Sequence, residues 1–195
     1  VAITLPTITP TLTLADFLRR PEIDESPAWE FHDRLAHQKP MPGVQHSRLQ
    51  IRLAVAINAI ASGWEALPEL RCTFGDRSIV PDLSVLKTAE LPIDSQGMVI
   101  TEGIEFAPAW AIEILSPAQG ETRVIRNLTH CLAHGSRLGW LVLPRDRVVV
   151  VFLPDRAPVE LAGGDRLPVL PDLDLNLTGD RLFGWLAGAA STERG

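Results

Sequence analysis

Ser78-Ile79-Val80-Pro81-Asp82-Leu83-Ser84-Val85-Leu86 is an apolar, β-branched run broken by one proline and one carboxylate. Without polar alternation, such a run has the pattern of a strand buried on both faces, as in the sheet of an α/β domain. Asp82 cannot sit there alone, because an isolated buried charge is costly enough to take up a proton or demand a partner. Pro81 has no N–H to give to a ladder, so an edge or a bulge is expected at this point, and bulges recur beside active sites.

The pattern returns in Ala109-Trp110-Ala111-Ile112-Glu113-Ile114-Leu115, where Glu113 is the single acid. Adjacent strands lie about 4.8 Å apart, and Mg²⁺ holds its oxygens at about 2.1 Å, so facing carboxylates on neighbouring strands can grip one ion. An ion held by two protein carboxylates keeps positions for water and phosphate oxygens, as metal-assisted phosphodiester hydrolysis requires. The residue pattern also admits a plainer reading, in which each acid pairs with an arginine or caps a local turn.

Upstream, Leu49, Leu53, Ala56, Ile57 and Ile60 recur at three and four between Ser47 and Ala61, the period of a helix with one buried face, and Gly63 suits its C-cap. A Pro40-Met41-Pro42-Gly43 break separates this helix from Trp29–Lys39, whose alternation predicts a hairpin turning near Asp33-Arg34. Thr13 and Asp16 open a short helix through Leu18 that Pro21 ends. Residues 1–12 read as an extended arm. Downstream, strands are expected at Glu69–Phe74, Gly139–Leu143 and Val148–Leu153, a helix at Glu121–His134, a turn at Gly163-Gly164-Asp165, and a short strand then a helix from Thr178 within Leu170–Trp185. The expected architecture is one α/β domain over 13–195, with a mixed central sheet flanked by helices and an N-terminal helix and hairpin.

With 195 residues, 46% of them apolar, the chain has ample material for a core. Its longest apolar runs, such as Val148–Leu153, fall far short of the roughly 20 residues that span a bilayer, which points to a cytoplasmic protein with no membrane segment. A net charge of −6 argues against a broad basic coat for nucleic acid and leaves a local basic groove open. Cys72 and Cys131 lack a CxxC partner and read as reduced core thiols. Trp110 and Trp140 read as core. The apolar segment around Leu182, Phe183 and Trp185, with the arm, exceeds what one small core needs and suggests a homodimer.

Ile79-Val80-Pro81-Asp82-Leu83-Ser84-Val85, followed by Ala107-Pro108-Ala109-Trp110-Ala111-Ile112-Glu113-Ile114-Leu115-Ser116-Pro117, resembles the Uma-type restriction endonuclease family, a branch of the PD-(D/E)XK nucleases. Trp29-Glu30-x-x-Asp33, His46-Ser47, Gly135 and Gly139-Trp140-Leu141-Val142 extend the resemblance from Leu14 to Trp185. It implies a restriction-endonuclease-like core, Mg²⁺ or Mn²⁺ as cofactor, DNA as substrate, and Asp82 and Glu113 as metal ligands. Glu30 matches the hairpin Glu that reaches the metal or its waters. His46 matches a His that contacts phosphate or orients Glu30. Where the family places a Lys on the next helix and a Tyr one turn later, this chain has Asn127 and Cys131. An amide orients water and stabilises phosphate charge far less well than an ammonium. Arg126, one residue earlier, and Lys39, past the hairpin, are the cations available instead. The alternative function is a pseudo-nuclease that binds nucleic acid or a protein without cutting.

Other candidates are weaker. Arg48 and Arg52 share one face of the first core helix, and Arg123 and Arg126 lie three apart on the second. Each pair suits phosphate contact, with an ordinary solvated face as the plainer reading. His130 and His134, four apart, have zinc-pair spacing but no third ligand, so helix-end hydrogen bonding is the expected role.

Overall fold

A computed structural model describes residues 12–60, 63–116 and 120–188; most of the expected N-terminal arm therefore lies outside the described residues. Helix α1 (Leu14–Leu18) starts where the Thr13 hydroxyl accepts the Asp16 backbone N–H at 3.1 Å. Strands β1 (Trp29–His32) and β2 (Leu35–Gln38) form the expected hairpin. Asp33 and Arg34 turn it with φ of 53° and 60°, the two left-handed residues of a type I′ loop. Arg34 has a Cβ that resists this conformation. Arg34→Gly is therefore expected to raise stability by up to about 1 kcal/mol in urea denaturation, and a loss of stability would show the turn to be unstrained.

Helix α2 (Val44–Asn58) begins three residues before the expected Ser47, with Gly43 at its N-cap. Gly63, at φ 73°, turns the chain into β3 (Trp64–Pro68), a strand that the sequence reading did not include. The strand expected over Glu69–Phe74 contracts to β4 (Cys72–Phe74), because Glu69 takes φ 50° and interrupts the extended backbone.

The nine-residue strand expected over Ser78–Leu86 is two strands. β5 (Arg77–Ile79) belongs to a four-stranded sheet ordered β2-β1-β5-β4, and β6 (Leu83–Lys87) to a six-stranded sheet. Val80-Pro81-Asp82 is the crossing between them. A proline cannot donate to either ladder, so the chain leaves one sheet there and enters the other. The single central sheet of the sequence reading is thus corrected to two sheets, and the hairpin is half of the second.

The larger sheet is completed by β7 (Trp110–Ile114), β8 (Leu138–Leu143), β9 (Val148–Phe152) and β10 (Val159–Ala162), with α3 (Glu121–Ala133) crossing over between β7 and β8. Its order is β10-β9-β8-β7-β6-β3, with β7 and β8 parallel and the other pairs antiparallel. β10 is the strand-like segment before the Gly163-Gly164-Asp165 turn, which the sequence leaves without bounds because Val159 and Glu160 are exposed and carry no burial pattern.

Strand alternation divides the core. Trp110, Ile112 and Ile114 join Leu49, Leu53 and Ile57 of α2 on one face, while Ala111 and Leu141 join Val124 and Leu128 of α3 on the other. Trp110 and Trp140 are fully buried and meet edge to face, with centroids 4.6 Å apart. No strand forms near Leu170. Instead Leu170, Leu173, Leu175 and Leu177 drop into the first core from a loop that leads to α4 (Gly179–Gly184). Leu182 and Phe183 are buried in that same core, so the segment credited above to a dimer interface is used within the chain.

Candidate active site

Leu83 pairs with Ile112 in the β6–β7 register, and one further step sets Asp82 opposite Glu113. The break at Pro81 frees Asp82 from the ladder, and its Oδ2 instead accepts the Ile114 backbone N–H at 2.6 Å. Both carboxylates are buried, at 1% and 2% exposure.

A cation meets them there. Hairpin β1–β2 docks on β5 through Phe31 and Ser78, and Lys39, just past β2, continues the hairpin by donating its backbone N–H to Ala28. This brings the Lys39 side chain to the crossing. Its ammonium donates to Asp82 Oδ1 at 2.7 Å, Val80 O at 2.7 Å and Glu69 Oε2 at 3.2 Å, using all three protons. His46, in the first turn of α2, places Nε2 2.9 Å from Asp82 Oδ2.

The charges decide the protonation states. Burial pushes the Asp82 carboxyl up, but the Lys39 ammonium and His46 outweigh it and hold the pKa at about 2. Burial pulls Lys39 down, and Asp82 and Glu113, with Glu69 and Glu30, more than reverse that. Glu113 is raised well above the usual carboxylate range, first by burial and then by the Asp82 charge. Among the described residues no donor is paired with its carboxylate. The pair therefore holds one more potential negative charge than its single ammonium offsets.

Glu30 serves the backbone beside this pair. Its Oε1 accepts the Val80 N–H at 3.0 Å, and Asn127 Nδ2 donates to Oε1 and Oε2 at 3.2 and 3.3 Å. Glu30 thus clamps the crossing that presents Asp82, and Asn127 clamps Glu30. Asn127→Ala is expected to cost about 1–3 kcal/mol in chemical denaturation, since a buried carboxylate loses its side-chain donor; an unchanged midpoint would show that Glu30 needs no such donor.

Two clefts open onto the site. One of about 300 Å³ is lined by Lys39, His46, Gln50, Glu69 and Asp82; a second of about 550 Å³ continues past His46 and Ser116 toward Glu121 and Arg145. Among the described residues no three His, Cys, Asp or Glu side chains converge on one point.

Residues 14–180 match the Uma2 family, whose description reads "putative restriction endonuclease". The chain belongs to the Uma2 family. A crystal structure described as a "putative nuclease belonging to DUF820", from Anabaena variabilis ATCC 29413, is 38% identical and superimposes with a TM-score of 0.86, over 90% of this chain and 99% of that one. No curated protein matches.

Within this Uma2 chain the residues singled out from sequence fall into two groups. Asp82, Glu113, Lys39 and His46 come together, with Glu30 and Asn127 beside them. His46 lies against Asp82 and not Glu30, the residue it was expected to orient if it did not contact phosphate. Arg48 and Arg52 lie about 200° around α2 from His46 and Gln50, so they face away from the carboxylates; Arg48 donates to Ala187 O at 3.1 Å and Arg52 is exposed. Arg126 reaches the hairpin tip, 3.2 Å from Asp33 Oδ2, with both side chains exposed. His130 Nε2 lies 3.1 Å from Phe74 O and His134 Nδ1 2.8 Å from His130 O, a local packing arrangement. Cys72 and Cys131 are free, buried thiols, and burial pushes both above the usual range.

Two Uma2 site residues escaped the sequence reading. Gln50 Nε2 donates to Glu69 Oε1 at 3.0 Å and to Asp82 O at 2.9 Å. Glu69 in turn gives its backbone N–H to Asp82 O at 3.3 Å. The usable signal was the i, i+4 spacing of His46 and Gln50 on one helix face; Glu69 carried none, being an acid at the start of an expected strand. Among the described residues no helix is long and apolar enough to cross a membrane.

Proposed function

We propose that this chain is a divalent-metal-dependent endonuclease with a restriction-endonuclease-like core, hydrolysing DNA phosphodiester bonds. The observation that carries the reading is the convergence of the Lys39 ammonium on the buried Asp82–Glu113 pair. A nuclease of this type needs two acids and a cation in one cleft, and the residue expected to supply the cation, on α3, is Asn127. Lys39 supplies it from the hairpin. This weakens the case for a non-cutting pseudo-nuclease, which rested on Asn127.

The residues suit Mg²⁺ or Mn²⁺. Glu113 is a buried acceptor with no donor among the described residues, and the Lys39 ammonium already stands in as a cation beside Asp82. Two carboxylates without a third protein ligand leave most positions to water and substrate, as such ions prefer. When bound, the ion supplies Lewis-acid polarisation of the phosphate and a lowered pKa for the attacking water.

The chain's own residues do the rest. Asp82 is oriented by His46 and by the Ile114 N–H, and Glu30 fixes the Val80–Asp82 backbone. Lys39 offers a buried positive charge beside the place where negative charge develops on the phosphate, which is worth most in a dry site. The description of the family as a "putative restriction endonuclease" supports DNA as the substrate. The test is nicking of supercoiled plasmid with MgCl₂ or MnCl₂. Metal-dependent nicking that Asp82 and Glu113 variants lose supports the reading, and salt-sensitive DNA binding without nicking would transfer support to the pseudo-nuclease.

A further inference from the structure

Lys39 and a divalent cation want the same oxygens. The ammonium holds Asp82 Oδ1 at 2.7 Å, and a doubly charged ion that took this oxygen would leave Lys39 buried, at 8% exposure, beside a like charge. A buried ammonium displaced without an acceptor is costly, so displacement needs a destination. The structure contains one. Glu69 Oε2 already accepts from Lys39 at 3.2 Å, its side chain is 44% exposed, and its other oxygen is held by Gln50. Gln50 bridges Glu69 to the Asp82 carbonyl, so the acceptor stays beside the pair and does not drift into solvent. Val80 O, at 2.7 Å, provides a second fixed acceptor.

We propose that Lys39 is an exchangeable counter-ion of the carboxylate pair, and that Glu69, anchored by Gln50, is the positioning residue that receives its ammonium when a divalent cation takes Asp82. This rests on the metal-dependent reading above. The exchange keeps the site near charge balance in both states: Lys39 neutralises Asp82 without metal, and Glu69 neutralises Lys39 with it. It also keeps the ammonium within reach of the cleft, where a substrate phosphate would meet it. Glu69 acts through Lys39 and not as a ligand.

Isothermal titration of the full chain with MnCl₂, without DNA, tests this. Lys39→Met removes the competing cation and is expected to tighten Mn²⁺ binding roughly tenfold or more, given the reach of one charge over a few ångströms at intermediate dielectric. Glu69→Gln is expected to weaken binding roughly threefold or more in the native background and less than about twofold in Lys39→Met, a non-additivity that marks action through Lys39. Equal Glu69→Gln effects in both backgrounds would mean a direct field on the metal and overturn the exchange. Unchanged affinity in Lys39→Met would overturn it as well. Should Lys39→Met fail to fold, Lys39→Gln takes its place in the cycle. Mn²⁺ binding that needs Asp82 but ignores Lys39 and Glu69 sinks the exchange alone, whereas no Mn²⁺ binding by the native chain sinks the metal reading with it.

Discussion

Asp82→Ala is expected to lose about 3–5 kcal/mol of folding stability and roughly a thousandfold or more of cleavage. The stability loss comes from what the change strands. Lys39, buried at 8% exposure, loses its closest anionic partner and is left with a carbonyl and the half-exposed Glu69. The Ile114 N–H loses its 2.6 Å acceptor and His46 its partner. Removing one member of a buried ion pair is among the most damaging single changes, because the remaining charge keeps its desolvation cost. Urea denaturation reads the first effect and single-turnover plasmid nicking the second. A midpoint within about 1 kcal/mol of the native chain would mean that Lys39 is well solvated without Asp82, which the packing of the crossing forbids.

Glu113→Gln separates function from folding. Glu113 has no donor to lose among the described residues, and its pKa lies well above its ordinary value of 4.5 because of burial and the Asp82 charge. The folded chain therefore keeps a proton that the unfolded chain releases as pH rises past about 4.5, and stability falls with pH above that value by up to about 1.4 kcal/mol per unit until the folded group ionises. Asp82 acts in the opposite sense and lower down. Its depressed pKa gives stability that is complete above 3.8 and lost as pH falls toward about 2. Above pH 4.5 the metal-free native chain is thus expected to lose stability relative to Glu113→Gln, and added MnCl₂ should restore the native chain but not the variant. Cleavage by Glu113→Gln is expected to fall roughly a thousandfold, since a neutral amide is a poor ligand for Mg²⁺. A variant with the same pH slope as the native chain would show that Glu113 is ionised in the metal-free protein.

Asp82 and Glu113 were legible because a lone acid in an apolar run is a local anomaly, visible without knowing what lies nearby. The hairpin, α2 and α3 were legible for the same kind of reason, each carrying its own period over enough residues to be read. The Ser78–Leu86 run misled because burial on both faces looks the same whether a strand continues in one sheet or passes between two. Pro81 marked the place without saying which. The leucines after Leu170 misled in the same way, since an apolar run is buried in a loop as readily as in a strand when a core lies beneath it.

Sequence by itself determined the family, the α/β class, the acids that are expensive to bury, and the absence of Lys at the position now held by Asn127. Tertiary structure alone decided which cation joins them. Lys39 and Asp82 are 43 positions apart and belong to segments that form different sheets, so no spacing rule links them. Their contact follows from hairpin β1–β2 docking on β5 just before the chain crosses at Pro81. Gln50 enters the site from α2 and Glu69 from the link between β3 and β4. Periodicity reports how a segment faces its own core, while the charge balance of a buried site depends on which distant side chains the packing of the sheets carries to the same point.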